Sequence, residues 1–125
     1  MPDLTALNIP QLLAALRTGQ ISSREIIETY LARAERLEPA VHAFLHLAAD
    51  TALAAADQAD QRWAAWRRAK NESLPSLLGI PLAVKDVLCV EGMPCTCGSR
   101  ILEGFYPPYT ATAVARLIQA GAIVL

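Results

Sequence analysis

The sequence lacks several features by which broad classes of protein are recognised. Its 11 Lys and Arg against 12 Asp and Glu leave a net charge of -1, whereas surfaces that bind nucleic acid are normally basic. It has no uncharged apolar run of the roughly 18–20 residues that cross a membrane. Its first residues, Met1 to Leu4, carry no basic segment of the kind that opens a secretory signal. Three cysteines, an odd number, favour a reducing compartment over a disulfide framework. These absences together predict a cytoplasmic protein.

Apolar side chains, in contrast, are abundant. Hydrophobic residues fill 54% of the 125 positions, although only 6% are aromatic. A small domain leaves much of its surface exposed, so this content is hard to bury completely. The last four residues, 122–125, have the pattern of a buried strand with no polar tail, and an uncovered strand edge invites aggregation. We therefore expect residues 1–125 to be the N-terminal part of a single domain that continues beyond the chain end.

Capping patterns predict helices in the first 70 residues. Asn8 with Gln11, and Ser22 with Glu25, have the spacing of two capping boxes. A third, Ala-rich helix opens at Asp50 or Thr51. The predicted ends of the three helices, in order, are Gly19, Pro39 and Lys70.

Two segments, one before and one after the third helix, have the patterns of strands. The segment 41–47 predicts a short strand, and the continuous apolar run 77–84 predicts a strand buried on both faces, as in parallel sheets. Between them, residues 70–76 are polar and predict a loop. Thr110 or Thr112 is expected to cap a helix that Gly121 ends, and the strand at 122–125 completes a strand–helix–strand unit.

Lys85 is the residue with the strongest chemical signal. It follows the predicted buried strand directly, and in open α/β sheets that end of a strand faces the functional crevice. Burial disfavours the ammonium form and makes a neutral amine available as a base. Two structural alternatives stay open: an ion pair between Lys85 and Asp86 at the strand end, or a lysine that extends to solvent.

The other chemically capable side chains predict structural roles. Cysteines 89, 95 and 97 lack the Cys-x-x-Cys spacing of zinc ligands, so buried cysteines and no metal site are expected. His42 and His46 are expected to be exposed or hydrogen-bonded. The basic cluster of Arg62, Arg67, Arg68 and Lys70 is expected to form a solvated helix face. Trp63 and Trp66 are expected to pack inward, and Gly79 and Gly92 are expected to form backbone turns.

Three further motifs are Leu-Gly-Ile-Pro-Leu-Ala-Val-Lys-Asp at 78–86, Thr-Cys-Gly-Ser at 96–99 and Pro-Pro-Tyr at 107–109. Together they resemble the amidase signature family. Within that family, the segments 19–25, 38–44 and 99–103 resemble the glutamine-hydrolysing A subunits of tRNA-dependent amidotransferases. The resemblance extends from about Leu4 to Leu125.

The resemblance implies an α/β fold in which N-terminal helices lead into the first strands of a mixed sheet flanked by helices. It also implies a Ser–cis-Ser–Lys triad. Lys85 takes a proton through a bridging serine, while a second serine attacks the amide carbon and ammonia leaves. Both serines belong to a Gly/Ser-rich region downstream of the strand that begins at Ala122. No nucleophile is assigned here, because none of the five serines of the chain lies at a matching position; they are Ser22, Ser23, Ser73, Ser76 and Ser99. No substrate-binding residue is assigned either.

For such a subunit the resemblance further implies glutamine as substrate, a heterotrimer with other amidotransferase subunits, and Glu-tRNA(Gln) bound through the partner subunit. No cofactor is expected in this chain, because ATP and Mg²⁺ are expected in the partner subunit. The chain alone is expected to be inactive. Val87, Cys95 and Thr110 depart from the residues usual in the subunit and leave the exact substrate open, so a stand-alone amidase acting on another small amide is one alternative. The second alternative is a non-catalytic module that uses its apolar excess to dock a partner.

Overall fold

The structure, a computed structural model, describes residues 3–70 and 73–125. Within these ranges the chain forms four α-helices and one parallel two-stranded sheet, which confirms the α/β class. No described helix is both long and apolar enough to cross a membrane. The elements are α1 (Ile9–Thr18), α2 (Ser23–Val41), α3 (Ala49–Ala69), β1 (Pro81–Leu82), α4 (Thr112–Gln119) and β2 (Ile123–Val124).

Both predicted capping boxes are confirmed. The Asn8 side chain accepts a hydrogen bond from the Gln11 backbone N–H at 3.0 Å, and the Gln11 side chain accepts one from the Asn8 N–H at 2.9 Å. Ser22 and Glu25 make the same reciprocal pair at the start of α2. Each box satisfies backbone donors that the first turn of a helix leaves free. Gly19 ends α1 in the left-handed conformation, at φ 76°.

Helices α2 and α3 pack closely because α3 presents small side chains at helical spacing. Ala52, Ala56 and Ala59 are buried, and the fully buried Ile26 and Ile27 of α2 belong to the same core. Beyond the third alanine lies the buried Trp63, whose indole N–H donates to the Leu78 carbonyl at 3.2 Å. This bond ties the helical layer to the segment that enters β1.

The predictions around Pro39 need correction. Helix α2 continues two residues past Pro39, to Val41, and His42 ends it in the left-handed conformation at φ 51°. Proline in the last turn removes one helical hydrogen bond without preventing the turn from closing, since the His42 N–H still reaches the Glu38 carbonyl at 2.9 Å. The strand predicted at 41–47 is wrong: residues 42–48 form no regular element, and no neighbouring strand among the described residues pairs with them.

The strand predicted over 77–84 is confirmed only at Pro81–Leu82. Residues 76–79 form a turn instead, with Gly79 at φ 85° and the Ile80 N–H bonded to the Leu77 carbonyl. Both strand residues are half-buried, because within the described residues β1 is paired on one side only. In the predicted loop 70–76, Asn71 and Glu72 lie outside the described residues.

Strands β1 and β2 pair in parallel with α4 between them, which confirms the strand–helix–strand unit. Pro81 lies opposite Ile123, and Leu82 opposite Val124. The predicted caps of α4 are wrong, because Ala111 holds the N-cap position and no side chain caps the helix. Thr110 instead accepts a hydrogen bond from the Glu91 N–H at 3.0 Å, which ties the start of α4 to the loop after β1.

Candidate active site

Lys85 lies three residues beyond β1, where the chain leaves the sheet. The Leu88 N–H donates to the Lys85 carbonyl at 2.9 Å and closes a turn over 85–88. An open groove of about 550 Å³ runs past this turn. Its walls come from the segment after α2, the segment after β1 and the end of β2. The lining comprises residues 43–46, 83–86 and 124–125 with Leu88, Val90, Met93, Pro94 and Thr96.

Lys85 is exposed in this groove. The burial expected from the strand pattern is therefore not provided by the described residues, because β1 ends at Leu82 and the next three residues leave the sheet. The position at the carboxyl end of a parallel strand is nevertheless the one expected. The groove around the amine is largely apolar, with Val84, Leu88 and Met93 in its wall.

Asp86 does not pair with Lys85. Its carboxylate turns to the loop at 96–98, where it accepts hydrogen bonds from the Thr96 N–H at 2.9 Å, from the Thr96 hydroxyl and from the Gly98 N–H at 3.1 Å. The bonds from Thr96 are the main cause that lowers the pKa of Asp86 below its usual value. The ion pairs found among the described residues both involve Arg24, with Glu28 and Asp57. The structural Lys85–Asp86 alternative is therefore not formed.

The backbone of Asp86 is bound to the same loop. Its carbonyl accepts from the Cys97 N–H at 3.2 Å and from the Cys95 thiol at 3.1 Å. Cys97 and Gly98 are both in the left-handed region, at φ 52° and 68°, which turns the chain back toward the carboxylate. Asp86 therefore fixes the loop 95–98 against the residue that follows Lys85. The sequence contained both motifs, but spacing gives no sign that they bind each other.

None of the serines lies in the lining of the groove, and the hydroxyl there belongs to Thr96. Ser22 caps α2. Ser23 is fully buried at the first turn of that helix, and Ser99 caps the short 3-10 turn at Arg100–Leu102. The described residues therefore supply the groove with the amine of Lys85, the carboxylate of Asp86 and the imidazole of His46, but with no serine nucleophile.

The predictions for the cysteines are confirmed only in part. Cys95 is buried as expected, but Cys89 is half-buried and Cys97 is exposed. Within the described ranges no cluster of three His, Cys, Asp or Glu has the geometry to hold a metal ion. His42 and His46 are exposed, and His46 lines the groove.

The basic cluster on α3 is mainly solvated, as predicted. Arg62, Arg68 and Lys70 are exposed. The half-buried Arg67 instead donates to the Leu16 carbonyl at 2.8 Å, where it supports the end of α1. Trp63 packs inward, Trp66 is half-buried against it edge-to-face at 6.0 Å, and Gly79 and Gly92 form the expected turns.

Comparison with known proteins gives one family match. The family model described as Amidase matches residues 25–125. The chain is 49% identical over all 125 residues to the A subunit of glutamyl-tRNA(Gln) amidotransferase from Chloroflexus aurantiacus strain J-10-fl, of which it covers 25%. It is also 49% identical over 110 residues, 88% of its length, to the corresponding A subunit from Synechococcus sp. strain WH7803, of which it covers 22%. The chain thus spans about a quarter of the length of these curated relatives.

Solved structures show a similar fold. The peptide amidase from Stenotrophomonas maltophilia superposes with a TM-score of 0.83 at 34% sequence identity. The alignment covers 94% of this chain and 23% of the peptide amidase. The arrangement of helices and paired strands therefore recurs within a larger enzyme.

Proposed function

The chain belongs to the amidase signature family, and from that premise we propose that it is the N-terminal part of a glutamine-hydrolysing amidotransferase subunit in which Lys85 is the catalytic base. The observation that carries this proposal is the place of Lys85, in an open groove at the carboxyl end of a parallel strand. The 49% identity to amidotransferase A subunits along the whole chain supports the choice of glutamine.

In this proposal the chain supplies the base and its support, and a region beyond residue 125 of a longer polypeptide supplies two serines. The hydroxyl proton of the attacking serine passes through the bridging serine to the Lys85 Nζ. The serine oxygen then bonds to the amide carbon, and the carbon–nitrogen bond breaks as the proton returns to the departing ammonia. Water hydrolyses the acyl-enzyme by the same proton path in reverse.

Lys85 must be neutral to accept that proton. The groove beside Lys85 has an apolar wall formed by Val84, Leu88 and Met93. Asp86 is not paired with the amine, since its carboxylate accepts hydrogen bonds from Thr96 and Gly98. The nearest negative charge in sequence is thus directed away from the base.

We propose that the ammonia amidates Glu-tRNA(Gln) in a heterotrimer whose partner subunit binds the tRNA, ATP and Mg²⁺. The test is reconstitution of the complete subunit with its partner subunits, followed by measurement of glutamine-derived ammonia and of Gln-tRNA(Gln). Glutamine-dependent formation of Gln-tRNA(Gln) is the expected result. Residues 1–125 alone should release no ammonia from glutamine. Release of ammonia by this purified chain would contradict the conclusion that its residues include no nucleophile for the reaction.

A second function, a stand-alone amidase acting on another small amide, is favoured by one observation. The chain is 34% identical to a peptide amidase and shares its fold over 94% of its length. Hydrolysis of peptide or other small amides by the complete polypeptide alone, without glutamine-dependent amidation of tRNA, would select this function over the first.

A further inference from the structure

The thiols of Cys89 and Cys95 lie close together, just beyond the turn at 85–88 that carries Lys85. The Val90 carbonyl accepts from the Met93 N–H at 3.1 Å, and Gly92 adopts φ 82°, so the chain reverses between Cys89 and Cys95. The two sulfur atoms lie 4.0 Å apart. A disulfide bond is about 2.05 Å long, so the sulfurs must approach by roughly 2 Å to bond. Of the intervening residues, Glu91 and Gly92 are exposed and are therefore not enclosed by packed side chains.

The two thiols have different surroundings. Cys95 is 3% exposed, and burial raises the pKa of its thiol to about 11. Its S–H donates to the Asp86 carbonyl at 3.1 Å. Cys89 is half-buried, and its sulfur lies 3.7 Å from the hydroxyl of the exposed Tyr109. Reagents from solvent therefore reach Cys89 before the buried Cys95.

We propose that Cys89 and Cys95 are an oxidisable dithiol that a peroxide converts into an intramolecular disulfide. Hydrogen peroxide oxidises the Cys89 thiol to a sulfenic acid and is itself reduced to water. The Cys95 thiol then gives up its proton as its sulfur attacks the Cys89 sulfur. The S–S bond forms, the S–O bond of the sulfenic acid breaks, and the hydroxyl leaves with that proton as a second water. An external dithiol reverses the reaction. In reducing compartments, disulfides that do form are usually transient or sensing, which fits this pair.

Formation of the disulfide also changes contacts at the candidate active site. The disulfide removes the S–H donor from the Asp86 carbonyl, next to Lys85, and pulls on the loop 95–98 that Asp86 holds. We therefore expect the oxidised enzyme to hydrolyse amides more slowly until it is reduced, an expectation that rests on the proposed function. The formation of the disulfide itself does not depend on that function.

The sequence permits a direct test by mass spectrometry. The complete protein is treated with hydrogen peroxide, its remaining thiols are alkylated, and it is cleaved after Lys85, Glu91 and Arg100. Cys89 then lies on peptide 86–91, whereas Cys95 and Cys97 lie on peptide 92–100. The two peptides are expected to be joined and lighter by two hydrogen atoms, and to separate after dithiothreitol.

Variants identify the partner sulfur. The joined peptides should disappear in Cys95→Ser and persist in Cys97→Ser, whose exposed thiol is the matched control. A link that persists in Cys95→Ser, or over-oxidised Cys89 without any link, overturns the proposal. Because a serine at position 95 is buried and could disturb folding, Cys89→Ser is examined in parallel and must also abolish the link.

Activity measurements separate this proposal from the proposed function. Peroxide should reversibly slow amide hydrolysis by the wild-type protein and leave Cys89→Ser unaffected. A disulfide in a protein that never hydrolyses amides refutes the proposed function and upholds the dithiol. Normal hydrolysis by a protein that forms no disulfide refutes the dithiol alone.

Discussion

Substituting Gly121 by alanine tests the contact that sets β2 against the entry to β1. Gly121 has φ 97°, and a Cβ added there would lie 2.6 Å from the Leu78 Cα and 2.8 Å from the Leu78 nitrogen. The same junction is held by two backbone bonds, from the Gly79 N–H to the Gly121 carbonyl at 3.0 Å and from the Leu77 N–H to the Ala120 carbonyl at 2.7 Å. Because the clash is with backbone, a rotamer change cannot relieve it.

Gly104 provides a matched control, since its φ is 79° but no atom lies within 4 Å of an added Cβ. Both alanines incur the left-handed penalty of about 1–2 kcal/mol. Gly121→Ala alone must also displace packed backbone, which costs about 1–3 kcal/mol more. We therefore expect Gly121→Ala to lower the free energy of unfolding by about 2–5 kcal/mol, and Gly104→Ala by about 1–2 kcal/mol.

Urea unfolding followed by tryptophan fluorescence measures both variants, because the two tryptophans, Trp63 and Trp66, lie in the helical layer that contacts this junction. Equal free energies of unfolding for the two variants, within about 0.5 kcal/mol, would refute the close approach of the two backbones. A larger effect at Gly104 would contradict the structure in the same way.

Two carboxylates on α3 and one at the groove give further predictions. Asp60→Ala removes the acceptor of two backbone N–H groups at the start of α2, at 2.6 and 3.0 Å, and should lower the free energy of unfolding by about 0.5–2 kcal/mol. Asp57→Ala, which breaks an exposed ion pair with Arg24, should lower the free energy of unfolding less than Asp60→Ala does, and a larger loss at Asp57 than at Asp60 would contradict the assignment. The folded pKa of Asp86 is lowered, so its stabilisation of the loop is present above the ordinary value of 3.8 and is lost as pH falls through the lower folded value. The amide NMR signals of Thr96 and Gly98 should titrate with a midpoint below 3.8, and a midpoint above it would show that the carboxylate is not held by these donors.

The sequence predicted well what depends on neighbouring residues. Both capping boxes formed, since Asn8 with Gln11 and Ser22 with Glu25 need only one turn of helix to meet. It failed where an element depends on a distant partner. The alternating pattern at 41–47 favours a strand, but a strand needs a paired neighbour, and the described residues supply none.

The candidate site shows the same contrast between features set by neighbouring residues and features set by distant partners. The place of Lys85 at the end of a parallel strand followed from the apolar run before it. The partners of Asp86 did not, because they lie ten and twelve residues away, across a turn that requires positive φ at Cys97 and Gly98. The exposure of Lys85 was predicted only as an alternative to burial, since a pattern of apolar residues gives the character of a strand but not where its pairing stops.

The catalytic role of Lys85 can be tested against a control within the same chain, because Lys70 and Lys85 are its two lysines and both are exposed. The measurement is kcat and KM for glutamine hydrolysis by the complete enzyme carrying Lys85→Gln or Lys70→Gln, with folding checked by circular dichroism. Loss of the base should lower kcat by at least about 10²–10⁴-fold in Lys85→Gln and leave KM nearly unchanged. Lys70→Gln should retain normal turnover. Near-normal kcat in a folded Lys85→Gln enzyme would contradict the assignment of Lys85 as the base.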